Sequence, residues 1–119
     1  MDEWLYTPAL LAQVRPAVST TVTAFVASMR TEITRIIVTC VSTGNRTFRI
    51  YHDDQNSGPS DGNALWYNYP VNTSSIYSWG SESPGAGISV KPGGAILVRS
   101  DLTNGVTFSF YGVSQSRGR

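Results

Sequence analysis

TRIIVTCVSTGNRTFRIYHDD, residues 34–54, decides the fold class of this chain. Two runs rich in β-branched and aromatic residues flank the turn-forming triplet Thr43-Gly44-Asn45, and apolar and polar residues alternate in both runs. Alternation with a period of two is typical of a strand with one buried face. A Gly-Asn pair between two such runs predicts a tight hairpin, because glycine adopts the positive φ angle that the turn needs. The side chains predicted to face the core are those of Ile36, Val38, Cys40, Phe48 and Ile50.

The β pattern continues beyond this stretch, from residue 20 to residue 113. Further short runs of strand-forming residues cover 20–26, 64–71, 74–79, 87–90, 95–100 and 107–113, and clusters of Gly, Pro, Asn and Ser separate them. No long segment has the period of an amphipathic helix. About eight short strands with regular turn signals predict an all-β fold, a single antiparallel β-sandwich or jelly roll.

The first 19 residues differ from the rest, since they are too apolar for a solvated tail and contain two prolines. We therefore predict an extended N-terminal arm (1–19), a sandwich domain (20–113) and a polar C-terminal tail (114–119). The arm either packs on its own domain or docks on a partner, and we favour docking. The residues expected to make the contact are Trp4, Leu5, Tyr6, Leu10 and Leu11.

Composition excludes several classes of partner. The net charge of +1 creates no strong field for nucleic acid or an anionic membrane, and no apolar run is long enough for a spanning helix. The acidic start of the chain argues against a secretory signal.

A single cysteine, Cys40, rules out an internal disulfide. Eight of the nine basic residues are arginine, a residue suited to multidentate contacts.

His52, Asp53 and Asp54, at the end of the opening stretch, have two interpretations. One histidine and two carboxylates are suitable metal donors, and Asp53 and Asp54 could hold a calcium ion in the loop that follows. Adjacent residues of an extended chain point to opposite faces, however, so we favour the polar end of a strand and no metal. The sequence contains no motif for nucleophilic catalysis, phosphate binding or zinc binding. We predict no enzymatic activity and no cofactor.

An aromatic cluster offers the other candidate site. Trp66, Tyr69, Tyr77 and Trp79 lie on two neighbouring predicted strands. Aromatic rings of this kind either fill a core or subunit interface or stack on sugars, and we favour the first of these. The scarcity of basic residues between them argues against binding of single-stranded nucleic acid.

The pattern of residues 20–113 resembles the small β-sandwich virion structural proteins of tailed bacteriophages. The matching segments are F-R-I-Y-H-D at 48–53, G-I-x-V at 87–90 and T-F-S-F-Y-G at 107–112. The resemblance implies a non-enzymatic virion protein, most often a capsid decoration or cement protein that binds between capsid subunits and stabilises the shell. The alternative is a tail- or fibre-associated carbohydrate-binding or adhesion module.

The same resemblance implies partners and a location. The expected partners are the major capsid protein and neighbouring copies of the chain itself, in a homo-oligomer such as a trimer. The expected location is the virion, assembled in the host cytoplasm. The apolar arm departs from the commonest form of these proteins and favours a docking role.

Overall fold

The computed structural model describes residues 3–55, 57–81 and 87–118, and for 3–8 and 115–118 it describes the strand and its register only. These residues form nine strands and one short 3-10 helix, Asp61–Asn63. In chain order the strands are β1 Glu3–Val14, β2 Val22–Val26, β3 Thr31–Cys40, β4 Arg46–Asp53, β5 Ala64–Val71, β6 Ile76–Gly80, β7 Ile88–Val90, β8 Ala95–Ser100 and β9 Val106–Gly118.

The strands form two antiparallel sheets. The first has the order β1-β9-β3-β6, with β7 paired to β3 beyond the end of β6, and the second has the order β2-β8-β4-β5. The strand pairs are nested in the sequence, as in one long hairpin that is rolled into a sandwich. The innermost pair is β4/β5; around it come β3 with β6 and β7, then β2/β8, and the outermost pair is β1/β9. This topology is that of a jelly roll. The predicted fold class is therefore confirmed, with nine strands in place of about eight.

The opening stretch forms two strands, but the predicted hairpin is wrong. β3 pairs with β6, β7 and β9, whereas β4 pairs with β5 and β8, so the two strands belong to different sheets. Gly44 does adopt a positive φ of 88°, and the turn there carries the chain from one sheet across to the other. Strand alternation shows which residues face the core, and both an arch and a hairpin satisfy it.

The core lies between the sheets and contains the residues that alternation predicts. Ile36, Val38 and Cys40 of β3 face Phe48 and Ile50 of β4, and none of the five exposes more than 4% of its surface. Phe48 bridges the sheets, since its ring lies 5.9 Å from that of Phe108 on β9 in an edge-on contact. The Cys40 thiol is buried and donates to the carbonyl of Gly44 (3.5 Å), a structural role.

Residues of the predicted arm and tail pair with each other. β1 and β9 form a continuous antiparallel ladder from Glu3↔Gly118 to Val14↔Phe108, with one bulge between Leu10 and Ala12. The polar composition of 114–118 gave no sign of a strand, because the ladder uses backbone groups that every residue except proline carries. Residues 1, 2 and 119 of the predicted arm and tail lie outside the described part of the chain.

Gly112 of β9 explains how three strands of the first sheet come together. It pairs with Ala9 on one side and with Ile33 on the other, next to a register shift in each neighbouring strand. A Cβ atom at this position would collide with the carbonyl oxygen of Glu32. Only glycine permits this close approach of backbones.

Candidate docking surface

Asp53 anchors its own loop. The residue is 2% exposed, and one carboxylate oxygen accepts hydrogen bonds from the backbone N–H (2.9 Å) and hydroxyl (3.4 Å) of Ser57. The other oxygen accepts the N–H of Gly58 at 2.8 Å. A buried carboxylate satisfied by backbone donors in this way fixes the path of the chain after β4.

Asp54 has a different partner. One of its oxygens lies 2.9 Å from Nε2 of the half-buried His52, and the same oxygen occupies the space that a Cβ atom would need at Gly94, just before β8. Asp53 and Asp54 thus serve two separate sets of contacts, and the structure does not bring their carboxylates onto one cation position. Within the described residues, no three His, Cys, Asp or Glu side chains are grouped so that they could hold a metal ion.

The aromatic candidates do come together, in a connected group of rings. The indole N–H of Trp66 donates to the hydroxyl of Tyr77 at 2.9 Å. Ring centroids are 4.7 Å apart for Tyr69 and Tyr77 and 5.8 Å apart for Trp66 and Trp79, in tilted or edge-on arrangements. These distances and angles are the favourable ones for aromatic pairs. The rings of Tyr69 and Tyr77 also pack on the buried Phe48.

This aromatic cluster closes one side of the sandwich. β5 ends the second sheet and β6 ends the first, and Trp66 and Tyr69 of β5 meet Tyr77 and Trp79 of β6 between them. Exposed apolar side chains surround the cluster on the same two strands. We call this surface the aromatic edge, and its exposed members are Leu65 (44%), Tyr67 (51%), Tyr69 (41%) and Ile76 (60%).

The opposite side of the sandwich is formed by β1 and β2, the other two end strands. Leu10 on β1 exposes 51% of its surface and Val26 on β2 exposes 59%. Leu11, the neighbour of Leu10, instead packs against the core together with Ala12 and Val14. The predicted contact residues of the arm are therefore divided: Leu11 supports the sandwich, while Leu10 faces outward.

The remaining arm residues, Trp4, Leu5 and Tyr6, lie in the far part of β1, opposite Arg117, Ser116 and Gln115 of β9. β9 pairs with β3 only as far as Ser114, so residues 3–6 and 115–118 form a two-stranded ribbon that extends past the sandwich. At about 3.4 Å per residue, four residues extend the ribbon by about 14 Å. We call this segment the terminal ribbon.

No helix in the described part of the chain is both long enough and apolar enough to span a membrane.

No protein-family model and no curated protein matches the sequence. The solved structures that are similar to the chain include two from viruses. One is the Nora virus structure, at 12% identity and a TM-score of 0.44, where the match covers 97% of this chain and 56% of the other. The second is the coat protein of tobacco streak virus, at 15% identity and a TM-score of 0.41, with 97% and 85% covered. The chain thus spans little more than half of the Nora virus chain.

Proposed function

We propose that this chain is a non-enzymatic structural protein of a virus particle, and more specifically a decoration or cement protein that binds between subunits of the shell. The jelly roll supports the broader assignment, because this architecture is common in viral shell domains, although lectins share it. Fold alone does not decide function. The terminal ribbon carries the proposal.

The ribbon is the part of the molecule that most needs a partner. A two-stranded ribbon is marginally stable by itself in water, and natural edge strands usually carry charges that discourage pairing. Here the sequence places Trp4, Leu5 and Tyr6 in succession on the edge strand. A groove in a neighbouring shell subunit would bury these side chains and add partners to the ribbon.

The energy available from this contact is modest for one copy. Burial of three large apolar side chains contributes about 5–9 kcal/mol, while loss of translational and rotational freedom on association costs about 4–15 kcal/mol. A single ribbon therefore binds weakly. Copies that also contact one another gain from avidity, so the protein should bind as a homo-oligomer.

The two sides of the sandwich offer surfaces for such contacts between copies. The aromatic edge is apolar on one side, and Leu10 and Val26 are exposed on the other. Contact between two different surfaces of identical subunits produces a closed ring when the rotation permits. A homotrimer is a compact ring of this kind and is the form that we propose. Its partners are then the major capsid protein and copies of itself, within the virion.

The test is binding to particles from which this protein has been removed. The ribbon variant W4S/L5S/Y6S keeps the chain length and the backbone ladder, whereas deletion of residues 1–16 would also remove Leu11 and Val14 from the core. The control variant V41S/L102S removes two exposed apolar side chains that belong neither to the ribbon nor to the surfaces proposed for contacts between copies. We expect the wild-type and control proteins to co-sediment with particles and the ribbon variant to remain in the supernatant. Equal co-sedimentation of all three proteins contradicts the docking role.

A carbohydrate-binding or adhesion module is the second candidate, and the exposed ring of Tyr69 favours it. Stacking on a sugar needs one accessible ring face, and the contacts of Tyr69 with Phe48 and Tyr77 would hold the ring in place. A glycan array decides between the two. Hits that disappear in Y69A would support this candidate, while an array without hits would leave docking as the sole proposal.

A further inference from the structure

A depression on the outer face of the second sheet contains two arginines. Its volume is about 160 Å³, and its polar lining consists of Ser19, Thr47, Arg49, Asn68, Arg99 and Asp101. These residues come from β4, β5, β8, the turn after β8 and the segment before β2, so the groups converge from several directions. The depression is separate from the terminal ribbon and adjoins the aromatic edge at Tyr67, whose ring contacts Arg49.

The two arginines are direct cross-strand neighbours. Arg49 of β4 pairs with Arg99 of β8, and side chains at opposed positions on one face have Cβ atoms about 5 Å apart. Like charges at such positions repel each other. An anion between them would turn this repulsion into two favourable contacts.

Arg49 is held in place by its neighbours. Its Nε donates to the side-chain oxygen of Asn68 at 2.7 Å, and its guanidinium carbon lies 4.0 Å from the ring centroid of Tyr67. Asn68 itself has a φ of 50°, a left-handed conformation that asparagine tolerates better than most residues. The strand irregularity between its neighbours thus directs an amide toward the arginine.

Arg99 has N–H donors that make no hydrogen bond within the described residues. It is half-buried, and within the described residues its guanidinium has no hydrogen-bond or ion-pair partner. Nη2 of Arg49 also has no partner in the described part of the chain, because the bonds that Arg49 makes use Nε and Nη1. Hydroxyl groups of Ser19 and Thr47 add two further donors to the lining.

We propose that this depression binds a tetrahedral oxyanion, a phosphate or sulfate group. Guanidinium groups bind such oxygens with charge-assisted hydrogen bonds. A flat carboxylate is satisfied by the fork of one arginine, whereas donors that converge from four segments suit the oxygens of a tetrahedral group. Asp101, on the rim of the depression, opposes the anion and limits its affinity.

The experiment is a titration of the full-length protein with inorganic phosphate, followed by amide chemical shifts at constant ionic strength set with sodium chloride. We expect saturable shifts around Thr47, Asn68 and Arg99 with a Kd of the order of a millimolar. R99Q should weaken binding about tenfold or more, and D101N should strengthen it severalfold. Acetate, titrated in the same way, should bind more weakly than phosphate.

The matched control is R30Q, which removes the same charge from an exposed position in the loop before β3. Shifts that do not saturate, or equal phosphate affinities for R99Q and R30Q, would overturn the proposal. Equal affinities for acetate and phosphate would overturn the assignment to a tetrahedral anion. Because Arg99 has no partner within the described structure, R99Q is expected to fold, and the wild-type pattern of unshifted amides in the variant checks this.

Discussion

Replacement of Phe48 by alanine tests the packing of the sandwich most severely. Phe48 exposes 1% of its surface and contacts rings from both sheets, with centroids 5.7 Å from Tyr69 and Tyr77 and 5.9 Å from Phe108. These neighbours are themselves fixed by strand ladders and ring contacts, so they have little freedom to fill the cavity that the substitution leaves.

The size of the effect follows from this burial. Loss of a fully buried phenylalanine costs about 3–5 kcal/mol in the free energy of unfolding. For a chain of 119 residues, an unfolding entropy of about 2.1 cal/mol/K per residue gives about 250 cal/mol/K in total. The melting temperature should therefore fall by about 12–20 °C.

The assay is thermal and urea unfolding followed by circular dichroism, with Y67A as the control because Tyr67 is half exposed on the outer face. Y67A should lower the melting temperature by less than about 4 °C, since exposed substitutions have small effects. If F48A proves too unstable to purify, F48L should show a smaller loss in the same direction. A decrease for F48A no larger than that for Y67A would refute the account of the core.

Three further predictions concern the fold and its contacts. G112A should lower the free energy of unfolding, measured in urea, by about 3 kcal/mol or more, because its Cβ would collide with a backbone carbonyl. G80A is the control, since a Cβ there meets only ordinary contacts in the same sheet, and it should lower the free energy of unfolding far less. Similar losses for the two variants would contradict this explanation. D53A should lower the free energy of unfolding by about 1–3 kcal/mol, because two backbone N–H groups lose their acceptor. D54A should lower it by under about 1 kcal/mol. A larger loss for D54A than for D53A would be inconsistent with Asp53 as the anchor of the loop. I76E should reduce the oligomeric state measured by light scattering and leave the circular dichroism spectrum of the fold unchanged, since Ile76 is exposed on the aromatic edge. An unchanged oligomer would exclude this edge from the interface.

Side-chain alternation was sufficient to predict most strands and the core. Ile36, Val38 and Phe48 are buried as expected, and the bounds of β5 and β8 agree with the predicted runs 64–71 and 95–100. Alternation reports a local property of the chain, the face on which each side chain lies. The face on which a side chain lies stays the same whichever strand pairs with its own.

Strand partners were less predictable, for the same reason. The signal at Gly44 fits a hairpin and an arch equally well, and the choice depends on β5 and β8, which compete for the edges of β4. Composition also hid the strand at 114–118, where polar side chains accompany a regular backbone ladder with β1.

The polar sites show a similar limit. The sequence predicted that Asp53 lies at the polar end of a strand, and Asp53 does end β4, but the pattern gave no sign that the loop after it folds back and supplies backbone donors that allow the carboxylate to be buried. The pair Arg49 and Arg99 was not predicted at all, because it depends on the register between β4 and β8. The preference for arginine over lysine was the one indication in the sequence that such a site existed.

The most direct test of the proposed virion role is the copy number of this protein in purified virus particles. Quantitative mass spectrometry would measure its ratio to the major shell protein across several preparations. If the chain is a decoration or cement protein, its ratio to the major shell protein should be constant and close to a ratio of small whole numbers. Absence from the particles, or a few copies in each of them, would contradict the assignment.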